Sequence, residues 1–168
     1  NSLPNAFAII NPKKKKDTSG LDNLCATGVV FFFIIAINRE LKKIKFFKTP
    51  PPNLLKYLDL VALATICDLV KLDSLNRAFV KQGIKIINKS INTGINCLIE
   101  NSSINQSINE YHLGFILGPQ INAGGRVGDS KLGVNLLTSD QKSISTIISR
   151  KLYNFNKLRK TIEKKVEK

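Results

Sequence analysis

Two patterns of apolar and polar positions alternate along this chain, short closed apolar runs and longer stripes at helical spacing. Ala6-Phe7-Ala8-Ile9-Ile10 is a continuous apolar run closed by Asn11-Pro12, the pattern of a strand buried on both faces of a parallel sheet. A polar loop carrying Lys13 to Lys16 follows and runs to Gly20. Leu24 to Lys43 is apolar and then basic, as expected of a core helix whose C-terminal end emerges into water, where cations favour the negative end of the helix dipole. Pro50-Pro51-Pro52 excludes helix and marks a rigid connector, so the next helix should begin near Asn53. From there Leu54, Leu55, Leu58, Val61, Ala62 and Ile66 keep helical spacing as far as Asp68. Asp73 or Ser74 can cap a following helix in which Leu75, Phe79, Ile86 and Ile87 form the buried stripe.

Residues 88–110 are rich in Asn, Ser and Ile without a clear period, which predicts loops with one short helix. Phe115-Ile116-Leu117 has the pattern of a strand entering a glycine-rich loop, Gly118 to Gly128. The last element carries the clearest signal. Thr138 followed by Gln141 is a capping-box pattern, and Ile144, Ile148, Leu152, Phe155, Leu158, Ile162 and Val166 recur at steps of three and four. One long amphipathic helix should start at Thr138, with lysines on its outer face.

The 168 residues, 43% of them hydrophobic, suffice for one buried core. With no methionine in the sequence, Asn1 is not an unprocessed start, and Lys168 falls within a charged helical pattern; both ends are expected to be cut. The longest uncharged apolar run, Leu24 to Ile37, is shorter than the roughly 20 residues a bilayer requires, and no basic-then-apolar leader opens the chain, so a cytoplasmic protein without a membrane partner is expected. Cys25, Cys67 and Cys97 are odd in number and set in apolar surroundings, which favours buried thiols in a reducing compartment over disulfides or zinc. A net charge of +14 makes a polyanionic partner plausible through counterion release. Few of those charges are arginines, however, and the abundance of Lys, Asn and Ile would equally follow from an AT-rich genome.

Gly118 to Gly128 is not a Walker loop, since no Gly-Lys-Ser/Thr follows, and it lacks the dinucleotide-binding glycine pattern. Its glycines would allow close backbone approach and positive φ, letting amides face a phosphate while Arg126 supplies a bidentate contact. An ordinary tight turn with a surface arginine is the alternative. His112 is the only histidine and by itself forms neither a zinc cluster nor a nucleophile system. Asp59 stands nine residues before Asp68, on roughly the opposite face of a straight helix, so the two carboxylates cannot share one ion; Asp59 should favour the positive end of the helix or meet a basic neighbour, a structural role.

Three blocks, in order, resemble RecJ-type exonucleases of the DHH phosphoesterase superfamily. They are Leu3-Pro4 through Lys13, Asp59 through Leu72 continuing into Asn76-Arg77 and Gln82-Gly83, and Leu117 through Asp129. Gln120, Gly124 and Lys71 stand where family members usually carry Arg, Ala and Pro. The resemblance implies an α/β fold with a mostly parallel sheet flanked by helices. Residues 1–137 would be the second half of a DHH catalytic domain, and 138–168 a helix linking it to a further, DHH-associated domain. It also implies that Asp68 is a catalytic ligand of a two-metal centre, manganese or magnesium, that hydrolyses single-stranded DNA from its 5′ end in recombination and repair. Asn122, Gly124, Gly125 and Arg126 would hold the strand, with other repair proteins as further partners. The remaining metal ligands would lie before Asn1, so these residues by themselves should be inactive. A sibling phosphoesterase acting on oligonucleotides or cyclic dinucleotides, or a non-catalytic DNA- or partner-binding relative, remains open at this point.

Overall fold

Cys25 opens the first helix: its Sγ accepts the Gly28 N–H at 3.4 Å and so caps α1 (Ala26–Lys43). The structure is a computed structural model describing residues 4–166; Asn1, Leu3 and the side chain of Val166 lie outside the described residues. No strand occurs among them, which overturns the expected parallel sheet. Ala6 to Ile10 is irregular, with Phe7 and Ile10 exposed. A strand satisfies its backbone only through a neighbour, and no strand stands beside this one. The second expected strand, Phe115 to Leu117, is helical. A short apolar run looks alike in either state, and here it belongs to a helix whose Leu113 and Leu117 are fully buried.

Helix α1 is less of a core helix than its composition suggests. Its buried anchor is Phe31, which packs on Leu58 and Val61 and meets Phe79 edge-to-face at 5.9 Å, while Val30, Phe33, Ile34 and Ile37 stay exposed. After the proline triplet, Asn53 Oδ1 accepts the Leu55 N–H at 3.1 Å and starts a 3-10 turn, Leu54–Tyr57, that runs directly into α2 (Leu58–Cys67). Asp73 caps α3 (Ser74–Ile87) through the Asn76 N–H at 3.0 Å. Its buried stripe is Asn76, Val80, Gly83 and Ile87, with the predicted Leu75, Phe79 and Ile86 half-buried beside it. The offset follows from Gly83, whose missing Cβ would lie 2.1 Å from the Leu58 carbonyl oxygen. That glycine lets α3 press its backbone against α2.

The asparagines of residues 88–110 do structural work. Asn88 Oδ1 accepts the Ile108 N–H at 2.8 Å and its Nδ2 donates to the Ile108 carbonyl at 3.1 Å, closing a long loop as a second backbone would. Asn92 caps the one short helix there, α4 (Thr93–Asn101), and also donates to the Leu137 carbonyl. Residues 110–127 then form one helical stretch: a wide π turn, His112–Leu117, passes into α5 (Gly118–Val127). Pro119 has no N–H to return to Phe115, and the wider turn before it takes the proline ring without ending the helix. The predicted glycine loop is thus a helix, and Gly20 is the only glycine with positive φ among the described residues.

Helix α6 (Lys131–Thr138) ends where the long helix was expected to start. Thr138 Oγ1 turns back to the Val134 carbonyl, and Ser139 Oγ accepts the Gln141 N–H ahead of α7 (Lys142–Val166). The α7 face that lies across α4 and α5 is Ser145, Ile148, Ser149, Leu152 and Asn156. Ile144, Leu158 and Ile162 are exposed instead, because small polar residues let the helices approach more closely than branched ones. The main core joins Leu63, Ile87, Leu98, Leu113, Leu136 and Leu152, one from nearly every helix.

Candidate nucleic-acid interface

Asp68 is the C-cap of α2, exposed at the end of a helix that is buried on most sides. Its side chain makes no ion pair or hydrogen bond among the described residues. The chain turns sharply after it, with Leu69 at φ +52° and 88% exposed, a left-handed conformation that costs a non-glycine residue free energy and needs support from its surroundings. Buried Asn76 provides that support. Its Nδ2 donates to the carbonyls of Lys71 at 2.8 Å and Asn23 at 2.9 Å, and Asn23 in turn donates to Asp73 at 3.3 Å. Arg77 adds a bond to the Leu72 carbonyl. These bonds show that Asn76 and Arg77 fix the loop leaving Asp68.

Across from Asp68 runs α5. A Cβ at Gly118 would sit 2.4 Å from Cys67 Sγ, so only glycine lets the two elements meet. The cavity beside this contact, of about 320 Å³, is lined by Ala64, Asp68, Gly118, Ile121 and Asn122 among others. Two residues singled out from different blocks of the sequence, Asp68 and Asn122, therefore share one cavity. Arg126 lies one helical turn after Asn122, exposed on the same side, with no ion pair or side-chain hydrogen bond among the described residues. Asp129, the carboxylate that could have tied it down, instead accepts the Lys131 N–H at 2.8 Å just ahead of α6.

The two glycines of the predicted site part company. Gly125 is exposed, with the nearest neighbour of an added Cβ 3.9 Å away. Gly124 is buried, its missing Cβ 3.0 Å from both the Asp129 carbonyl oxygen and Leu152, so it seats α5 on α7. Gln120 is likewise internal, donating to Ser102 Oγ at 2.7 Å and to the Ile116 carbonyl at 3.0 Å. His112 is buried, its Nδ1 accepting the Asn109 N–H at 3.1 Å and its Nε2 lying 3.1 Å from the Gln106 side-chain amide nitrogen. Both hold local structure.

The charge environment separates the ionisable groups. Cys67, half-buried beside Asp68, has its thiol pushed up to about 11, first by burial and then by the Asp68 charge; it stays protonated and is a poor metal ligand at neutral pH. Asp59, 2% exposed at the start of α2, accepts the Leu60 N–H at 2.6 Å, and burial raises its carboxyl above the ordinary value. It lines a different cavity from Asp68, as the helical phase demanded. Among the described residues no three His, Cys, Asp or Glu side chains gather where they could hold a metal ion. Asp68, an exposed hard oxygen donor at a cavity rim, fits one position of such a site and no more.

Comparison with known proteins places this arrangement. The chain is 38% identical to the single-stranded-DNA-specific exonuclease RecJ of Salmonella typhimurium and 36% identical to that of Escherichia coli, over 96% of its own length in each case. This chain is a RecJ-type segment. It spans 29% of the length of those relatives. A crystal structure of RecJ from Thermus thermophilus in complex with Mn2+ superposes on 92% of the segment with a TM-score of 0.74 and 29% identity, covering 22% of that chain. A manganese-bound exonuclease RecJ gives a TM-score of 0.73. No protein-family model matches.

Proposed function

We propose that this RecJ segment contributes one metal-binding carboxylate and one strand-holding helix face to an exonuclease that degrades single-stranded DNA from its 5′ end. The observation that carries the reading is the shared cavity of Asp68 and Asn122, with Arg126 one turn beyond on the same exposed side. Relatives named single-stranded-DNA-specific exonucleases, and solved relatives holding Mn2+ or Mg2+, support the substrate and the ions. Bound near Asp68, two such ions would activate water for attack on a phosphodiester. The chain's own residues do the remaining work. Asp68 offers an unpaired oxygen at a fixed place, Asn122 lines the floor beside it, and Arg126 is free to fork onto a phosphate.

The other ligands would come from elsewhere in the full-length protein, and residues 138–168 would lead toward a further domain, α7 being exposed from residue 160 to 165. A role in recombination and repair, in the cytoplasm and beside other repair proteins, fits the substrate. No helix among the described residues is long and apolar enough to cross a membrane. A sibling phosphoesterase for cyclic dinucleotides or short oligonucleotides is not favoured, since the relatives above are RecJ proteins. In the full-length protein, Asp68→Ala should lower metal-dependent release of nucleotides by at least about a hundredfold, because even groups one bond removed from a metal cost 10–100-fold when lost. Its melting temperature should hold, the side chain having no partner to lose. Near-normal turnover would remove Asp68 from the metal centre.

A further inference from the structure

The π turn before α5 has a second consequence, on its outer side. It sets Tyr111 and Phe115 in a parallel stack, ring centroids 5.1 Å apart and planes 24° from one another, yet leaves the rings 61% and 68% exposed. Two large aromatic rings gain from burial, and this chain buries other apolar side chains of the same turn completely, Leu113 and Leu117 among them. The stack also stands on the same helical stretch as the proposed strand-holding residues. Residues 110–127 form one continuous helical stretch, and Tyr111, Phe115, Asn122 and Arg126 are all exposed on it. Phe115 adjoins Gly114, whose missing Cβ would lie 3.1 Å from Ile66, and the next turn brings Gly118 against Cys67 beside Asp68.

We propose that Tyr111 and Phe115 form a platform on which bases of the single-stranded DNA stack, next to the phosphate contacts of Arg126. The inference rests on the reading that this face holds single-stranded DNA, and it adds a base-directed subsite to a backbone-directed one. Aromatic faces take any base, because every base has a π face, and they suit a nuclease that must pass all sequences. The net charge of +14 draws in the strand. Glu110, exposed beside Tyr111, disfavours phosphates at the stack and leaves that surface to the bases. The partner is therefore a strand with its bases unpaired and splayed from the backbone, not a duplex.

The test uses the full-length protein in EDTA, so that no strand is consumed, with fluorescence anisotropy on a short oligothymidylate and on an abasic strand of equal length. Tyr111→Leu and Phe115→Leu should each weaken binding of the oligothymidylate about tenfold, leave the abasic strand unaffected, and leave the salt slope as it was. Phe115→Trp should restore wild-type affinity. Equal losses on both strands, or a lower melting temperature with unchanged affinity, would overturn the platform and mean that another part of the protein covers the rings. Arg126→Ala separates the two levels of the claim. If it weakens both strands while the aromatic variants bind like wild type, stacking alone is wrong; if none of the variants alters binding, the DNA-facing reading fails with it.

Discussion

The asparagines in and flanking α3 and α4 and the single asparagine of α5, Asn122, make the same side chain serve opposite ends. Asn76, Asn88, Asn92 and Asn101 each donate to a main-chain carbonyl of another segment, at 2.8 to 3.2 Å, and so tie those segments together. Asn122 makes no such bond among the described residues, nor do the neighbouring side chains of Asp68 and Arg126. All three project from rigid elements onto one exposed side. Polar groups that stabilise a fold are recognised by their partners. Asp68, Asn122 and Arg126 have no such partner among the described residues, which leaves them available for the ligand contacts proposed above.

The largest effect that could break this contrast lies in the helix contacts. Gly83→Ala would bring a Cβ within 2.1 Å of the Leu58 carbonyl oxygen and 2.4 Å of the Ala62 Cβ. Backbone cannot yield as a flexible side chain does, so the variant should lose about 3 kcal/mol or more of stability in urea unfolding; a loss below about 1 kcal/mol would mean that α2 and α3 are not in such close register. Arg126→Ala comes next, on the ligand side. It should weaken single-stranded DNA binding by the full-length protein on the order of tenfold and lower the salt slope by about 0.7, one phosphate on a single strand. An unchanged slope would remove Arg126 from the phosphate contacts.

Gly125→Ala sharpens the comparison because its two effects should oppose one another. The added Cβ meets nothing closer than 3.9 Å, and alanine is the better helix former by roughly 0.5–1 kcal/mol, so the fold should gain that stability while the DNA loses its close approach to the backbone. A variant that is more stable and binds DNA normally would show that Gly125 faces no strand. The smallest effect concerns Asp59. Burial raises its carboxyl in the folded chain, so the folded form keeps its proton to higher pH than the unfolded form does. The charged carboxylate therefore penalises folding at neutral pH, and the penalty fades as pH falls through that raised value. Asp59→Asn should raise the melting temperature modestly at pH 7, with the gain vanishing below about pH 4, the unfolded carboxyl range; a constant difference across that window would assign the effect to packing instead.

Local chemistry proved legible where a residue acts on its own neighbours. Helical structure begins after Asn53 as expected, Asp73 is the one of the two candidates, Asp73 and Ser74, that caps α3, the helix over Leu58 to Cys67 ends at Asp68, and α4 is the one short helix foreseen among residues 88–110. The helical phase that set Asp59 apart from Asp68 also held. The glycine stretch misled because glycine has two uses. It permits positive φ, and it also removes a Cβ where helices touch; Gly118 against Cys67 and Gly128 against the Phe155 ring are the second kind. Nothing in a single sequence says which use applies, since the neighbour that needs the space lies far along the chain.

The expected sheet failed for the related reason that a strand is half of an interaction. Ala6 to Ile10 carries the right apolar run, but its backbone needs a partner, and none is present among the described residues. The sequence alone settled the cap before α3, the helical phase that separates Asp59 from Asp68, the charge, and which blocks resemble which enzymes, all properties carried by adjacent residues. Tertiary structure decided which faces are buried, which asparagines are already spent, and that Asp68 and Asn122, 54 positions apart in the chain, line one cavity. Those depend on distances between segments, which a pattern of neighbours does not encode.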